Sequence, residues 1–357
     1  MKGSIPSLLV FLLLLAPAMV RGQYAYSTNA DGSFYTYNTN ADGSASIVGY
    51  SGPPWTVNIP SSINGLTVTV IGTNAFQGLT SLTSVTIPAS VTAIQDYAFG
   101  YCYYLTSVTI PGSVTSIGNY AFESCGLVTN FTIPDALANL GNNAFESCSL
   151  LTSATIPGGT TIGSSAFNGC NDLTNVSIAN GVTGIGDNAF ANTSLPNLAI
   201  PNSVTTIGTG VILYSQCMAI TVDANNPYFS SLNGVLFDKS QSTLIEYPFA
   251  LDGGYTIPAS VTNVGYGAFA ECGGLTSVII PANVVAIGSD AFYGCEGLST
   301  VAIPGNVESI GDGAFYYCNN LTNLTLGNSV TSIGEMAFYD DARLLSVAIP
   351  SSVRRRK

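Results

Sequence analysis

The chain has 357 residues, of which 46% are hydrophobic and only 8% charged, with 19 Tyr and 16 Phe, so it can bury a core despite its low charge. Between Gln23 and Val353 the only cations are Lys239 and Arg343 against twenty acids, a formal charge of −18 that excludes nucleic acid and anionic membrane surfaces as partners. The absence of histidine removes Ser-His-Asp and Cys-His catalysis and the commonest zinc ligand.

Residues 1–22 read as a secretory signal. Lys2 gives a positive start, and Leu8 to Ala16 form an apolar stretch between Pro6 and Pro17. Cleavage is expected after Gly22, or alternatively after Ala18; a retained anchor is the competing reading. No transmembrane segment is expected in the mature chain. Residues 23–58 differ from the rest of the chain. Thr28-Asn-Ala-Asp-Gly-Ser33 recurs as Thr39-Asn-Ala-Asp-Gly-Ser44, and each Asp-Gly marks a hairpin between Tyr-rich runs. This segment is expected to cap the first coil of the array behind it, with Trp55 near the junction. A calcium site on Asp31 and Asp42 is an alternative, but the turns account for both aspartates.

Residues 59–216 and 258–350 are repeats. Phe recurs at positions 76, 99, 122, 145, 167, 190, 269, 292, 315 and 338, nearly always 23 residues apart within each run, and Ile212 fills the same slot once. One unit runs Leu105-Thr-Ser-Val-Thr-Ile-Pro111, then Gly112-Ser-Val-Thr-Ser-Ile-Gly118, then Asn119-Tyr-Ala-Phe-Glu-Ser-Cys125. Leu105, Val108 and Ile110 predict a short strand with one apolar face, stopped by a proline. Val114 and Ile117 predict a second short extended piece, and Gly118 a turn. Three residues before most of the Phe positions stands Asp, Asn, Ser or Thr. That placement predicts an N-cap and a single helical turn carrying Ala-Phe inward. No coil can bury its apolar edge alone. The expected fold is a β-rich solenoid of about eleven coils, a curved array roughly 60 Å long with parallel strands about 4.8 Å apart.

This pattern, L-T-S-V-T-I-P-x-S-V-T-x-I-G-x-x-A-F-x-x-C, resembles the BspA-type leucine-rich repeat and covers about residues 59–350. The resemblance implies a curved leucine-rich-repeat solenoid of secreted and surface proteins, often bacterial and sometimes from parasitic protists. It implies adhesion and protein binding for some members, and it brings no catalytic residues.

Residues 217–257 interrupt the array. Asp223-Ala-Asn-Asn-Pro-Tyr228 predicts a turn and Asn233-Gly234 a hairpin. The segment either braces the solenoid or binds something as a protruding loop. Residues 351–357 begin a new coil and then turn basic, at Arg354-Arg-Arg-Lys357. A truncated frame or a missing downstream region is the preferred explanation, and a basic anchoring tail the other.

Seven of the eight cysteines, Cys102, Cys125, Cys148, Cys170, Cys272, Cys295 and Cys318, each lie three residues after a Phe, with Cys217 displaced. A thiol at one inward slot per coil reads as a small buried hydrophobe in a column, neither a disulfide framework nor a metal site. Together with the Phe residues they form the expected core. The carboxylates are dispersed, Asp340-Asp341 being the only adjacent pair, which leaves glycoside hydrolysis a remote alternative. No cofactor is expected. The sequons at Asn130, Asn175, Asn192 and Asn323 matter only in a eukaryotic source.

Two surfaces stand out. One strand column reads Thr86, Thr109, Thr132, Thr155, then Ser177, Ala199, Ile279, Ala302, Thr325 and Ala348; an ice-binding threonine array is a remote reading that this decay weakens. The other surface follows the Phe. Tyr293, Tyr316 and Tyr339 share a slot in successive coils, with Tyr317 beside one of them and Glu271, Glu296 and Asp340 at the border. Tyrosine offers broad amphipathic contact with few rotatable bonds. The expected function is therefore a non-catalytic secreted or surface scaffold that binds extracellular protein or carbohydrate; the alternative is a passive structural or spacer element.

Overall fold

The computed structural model describes residues 25–28 and 32–354. The signal segment, Asp31 and the last three basic residues lie outside the described residues.

Each coil contributes two short parallel strands, such as Ser107–Thr109 and Ser116–Ile117. The second strand stacks most regularly. Ile71, Ile94, Ile117, Leu140, Ile162, Ile185 and Ile207 are paired in register, coil on coil. Register is fixed because a one-residue slip would turn these apolar side chains out of the core. The chain makes about thirteen rungs, counting a cap strand and a rung built by the insertion.

The cap is an antiparallel meander of Ala25–Thr28, Phe34–Thr39 and Ala45–Ser51, whose last strand runs parallel to Leu66–Ile71. Tyr35 and Tyr50 place their rings 6.5 and 5.6 Å from Phe76, covering the open end of the core. Asp42 accepts hydrogen bonds from the Ser44 N–H at 2.9 Å and hydroxyl at 2.7 Å, the bonding of a turn residue.

The Phe residues form a stacked column, with ring centroids 5.1 to 5.6 Å apart from Phe76 through Phe99, Phe122, Phe145 and Phe167 to Phe190. This spacing follows the coil pitch, so each ring fills the gap between its neighbours. The column resumes from Phe269 through Phe292 and Phe315 to Phe338, and Phe338 is half-buried.

The expected helical turn is absent: the described residues contain no helix. Two residues per coil, two before and two after the Phe, are left-handed instead, as at Tyr97 and Tyr101, Tyr120 and Ser124, and Asn143 and Ser147. This alternation points every second N–H along the solenoid axis. Tyr97, Phe99 and Tyr101 donate to the carbonyls of Asn119, Ala121 and Glu123 one coil on, while Ala98, Gly100 and Cys102 close local turns. A helix would bend all these N–H groups back on their own coil and leave the coil interface unbonded. The residues expected as N-caps serve the same interface. Asp96, Asn119, Asn142, Asp187 and Asp312 each accept, through a side-chain oxygen, the backbone N–H of the equivalent residue one coil on at 2.7 to 2.8 Å.

The insertion is a rung of mixed allegiance. Its Ala219–Val222 pairs with Asn197–Ile200 of the coil before, whereas its Thr243–Glu246 pairs with Asn263–Val264 of the coil after. The core divides here into two clusters. Two buried polar side chains hold the seam. Asn226 donates to the Pro201 and Val204 carbonyls and accepts from Tyr228 and Phe229 N–H, all at 2.8 to 3.0 Å. Glu246 accepts the N–H groups of Val211 at 3.2 Å and Ile212 at 3.1 Å, replacing a backbone carbonyl that the irregular rung does not offer.

Candidate functional site

The left-handed turns form one edge of the solenoid, where side chains vary while the core stays fixed. At the C-terminal end of this edge the tyrosines meet. Ring centroids are 5.4 Å apart for Tyr293–Tyr316 and for Tyr316–Tyr339, with Tyr317 at 4.5 Å from Tyr316 and 6.2 Å from Tyr293. Tyr317 and Tyr339 are exposed, whereas Tyr293 and Tyr316 are half-buried by their neighbours. Burial and the charge of Glu271 raise the Tyr293 phenol pKa, and burial and the neighbouring Tyr317 raise that of Tyr316, with Asp340 adding to it. Glu296 and Asp340 are exposed. Glu271 is half-buried, with its carboxyl beside Gly294 of the following coil.

The seam opens a notch in the edge. From Val264 to Phe269 a regular coil spends five residues, but the insertion places Tyr247 in the Phe slot only three residues after Leu244. Tyr247 donates its N–H to the Ala268 carbonyl and packs 4.9 Å from Phe269, as a regular Phe would. With two residues fewer, the rung has no left-handed turn: no residue from 242 to 252 has a positive φ. The edge therefore lacks one projection, leaving a cleft of about 440 Å³ between the Ile212 and Phe269 coils. Tyr214 and Tyr266 stand on opposite sides, and Asn188, Glu271, Asp290, Tyr293 and Tyr316 complete the polar and aromatic wall. The Tyr214 phenol lies near the Glu271 carboxylate and the Tyr266 phenol near that of Asp290. Burial of Tyr214 and the neighbouring Glu271 push its pKa up, and the neighbouring Asp290 does the same for Tyr266, so both phenols remain neutral.

Sequence reasoning thus found Glu271, Tyr293 and Tyr316 and placed Tyr214 on the same surface after the Phe slot, but missed Tyr266 and Asp290 as their neighbours. The signal was there only in part. Tyr266 breaks the small-polar pattern of its slot and Tyr214 shares the slot of Glu271 and Tyr317, but nothing in the sequence shows that the 41-residue interruption brings the two together.

The cysteines lie inside this edge. Thiols of Cys102, Cys125, Cys148, Cys170, Cys295 and Cys318 point at the Phe carbonyl of the preceding coil, with Sγ–O distances of 3.0 to 3.4 Å. Cys272 lies 3.9 Å from the Tyr247 carbonyl, its equivalent at the seam. Thr193 and Ser215 hold the slot in two coils and bond the Phe190 and Ile212 carbonyls, so the position keeps a short side-chain donor. Burial raises every one of these thiol pKa values, to about 12 at Cys102 and Cys148. Among the described residues no group of three or more His, Cys, Asp or Glu side chains is placed to hold a metal ion.

The other surfaces are less continuous. Thr86 and Thr109 are paired in register, but the next coil keeps only an isolated bridge, Asn130 to Ser153, and Ile279 lies exposed in the same column. Asp341 is buried beneath exposed Asp340 and accepts the Cys318 N–H at 2.8 Å; burial raises its pKa to about 7. That bond commits one of its two oxygens to the end of the ladder.

A family model for the BspA type leucine rich repeat region matches in six copies, over residues 69–161, 151–251 and 254–356. The chain belongs to the BspA-type leucine-rich repeat family. A leucine rich cell surface protein from Faecalibacterium prausnitzii is similar in structure to this BspA-type chain, with a TM-score of 0.72, 30% identity, and 90% of this chain and 94% of that one covered. The pneumococcal vaccine antigen PcpA shares the fold, with a TM-score of 0.63 at 22% identity over 92% of each chain. No curated protein matches. The family and its fold provide repeat scaffolds for protein interaction, and among the described residues no helix is long and apolar enough to cross a membrane.

Proposed function

We propose that this BspA-type chain is a secreted or surface-displayed, non-catalytic scaffold that binds extracellular protein or carbohydrate through the tyrosine strip Tyr293, Tyr316, Tyr317 and Tyr339. The observation that carries the reading is the contiguity of these rings along three successive coils, two of them exposed, on an edge where side chains vary. Such a strip suits sugar faces and protein side chains alike. Glu271, Glu296 and Asp340 at its border disfavour anionic ligands. The similarity to a surface protein supports display outside the cell.

Replacing Tyr317 and Tyr339 together with Ser tests it, since both are exposed and their loss spares the half-buried pair. Capture of extracellular glycoproteins and polysaccharides should fall while the thermal midpoint barely moves. If the variant melts several degrees lower and binds as much per folded molecule, the rings only cover the core edge, and the chain is better read as a passive spacer.

A further inference from the structure

We propose that the notch between the Ile212 and Phe269 coils is a receptor site for a basic side chain, the ammonium of lysine or the guanidinium of arginine, carried on an exposed segment of an extracellular protein. This deepens the binding reading above by naming the chemistry of its partner.

The notch is a product of the fold. A rung two residues short removes one projection from an otherwise continuous edge, so the space is fixed by backbone on both sides and does not depend on a mobile loop. Its volume, about 440 Å³, falls within the range of ligand clefts, roughly 300–1,000 Å³. Its chemistry is one-sided. Glu271 and Asp290 bring two carboxylates, and no lysine or arginine lines the cleft. The Tyr214 and Tyr266 phenols beside these carboxylates are neutral and leave the charge uncompensated. The chain has little to offer in compensation. Of the three cations in the described region, Lys239 is engaged with the Ala224 carbonyl at 3.0 Å, and Arg343 and Arg354 follow the last complete coil.

Around the carboxylates stand four phenol rings, Tyr214, Tyr266, Tyr293 and Tyr316. A cation over such a ring is attracted by its electron-rich face, and more strongly where water is partly displaced. A guanidinium also fits a carboxylate through paired N–H donors. Anions are repelled by the same wall, and a neutral sugar would leave the two charges unanswered. Tyr293 and Tyr316 belong to both the notch and the strip, so a segment anchored in the notch would continue along the exposed rings.

The probe is a fluorescent peptide with two arginines spaced by glycine, and its twin with citrulline at both positions, measured by anisotropy against the full chain. The arginine peptide should bind, and the citrulline peptide should bind at least about tenfold more weakly. Affinity should fall steadily from about 0.01 to 1 M salt, as the screening length shortens from about 30 to 3 Å. Glu271→Gln with Asp290→Asn, which keeps size and removes charge, should weaken arginine-peptide binding about tenfold with an unchanged thermal midpoint. Tyr103→Ser with Tyr104→Ser, exposed and in neither the notch nor the strip, should leave peptide binding intact, while Tyr317→Ser with Tyr339→Ser is read by glycoprotein and polysaccharide capture. The two readings therefore fail separately. No binding of the arginine peptide at millimolar concentration, equal binding of the citrulline peptide, or equal binding by the Gln/Asn variant would overturn the proposal.

Discussion

Glu246 lets the seam be tested through pH. Its side chain is buried, and burial pushes its pKa from 4.5 up to about 7, opposed by the two N–H bonds from Ile212 and Val211. A carboxyl whose folded pKa lies above its unfolded value loses its proton first in the unfolded chain. Its contribution is therefore full below about pH 4.5, declines as pH rises toward 7, and is constant beyond. The difference between 4.5 and about 7 corresponds to about 3 kcal/mol. Glu246→Gln removes the ionisation but sets an amide NH2 against one of the two backbone N–H groups, which costs about 1–3 kcal/mol. The variant should be less stable than the parent near pH 4 by that amount and equal or more stable at pH 8, with the curves meeting between about pH 5 and 7. Urea unfolding across this range gives the difference curve, and hydrogen exchange at Val211 and Ile212, corrected for intrinsic rates, locates it. Asp341 adds a pH dependence of the same sign to both proteins, so the comparison is made between them. Parallel pH profiles for parent and variant from pH 4.5 to 7 would refute the reasoning.

Phe122 sits between Phe99 and Phe145 at 5.3 and 5.5 Å, so Phe122→Ala should cost ~3–5 kcal/mol. Exchange should rise in the coils from Phe99 to Phe145 and little near Phe315, because stacked repeats couple mainly to their neighbours; uniform loosening would contradict a quasi-linear array. Ser124 is left-handed with φ 58°, a slot that Gly78, Gly169 and Gly294 fill in other coils. Relief of about 1 kcal/mol of strain against the added freedom of the unfolded chain leaves Ser124→Gly neutral to stabilising by about 1 kcal/mol, and a clear fall in urea midpoint would show that the turn is not strained. The buried thiols, with raised pKa values, should resist iodoacetamide at pH 8 in the native protein and take eight adducts in denaturant; disulfides in the intact mass would sink this account.

The helical turn shows how a correct pattern yields a wrong local structure. A small polar residue three positions before Ala-Phe satisfies the rule for an N-cap. The side-chain oxygen of Asn119 does accept a backbone N–H, but that of Asn142 one coil away, where an N-cap would bond within its own coil. Repetition of the same residue class every 23 positions was the available clue, since a ladder needs its members in phase and a cap does not. Left-handed backbone at Tyr97, Ser124 or Glu271 is not marked by those residues themselves, only by the glycines that fill the same slots in other coils, such as Gly267 and Gly294. Their conformation is imposed by the carbonyls of the next coil.

What the sequence determined by itself is whatever recurs: the coil length, the inward Phe, Ile and Cys columns, and the parallel stacking that buries them. Periodicity makes each of these visible many times, and the hydrophobic effect leaves one way to satisfy them. Tertiary structure alone decided what occurs once. Asn226 and Glu246 plug a seam that exists only because two arrays meet out of step. The notch brings Tyr214 to Glu271, separated along the chain by the whole insertion, because the intervening rung is two residues too short to fill the edge. Such neighbours are set by how one irregular rung stacks between two regular ones, and that stacking is a property of the assembled core rather than of any segment.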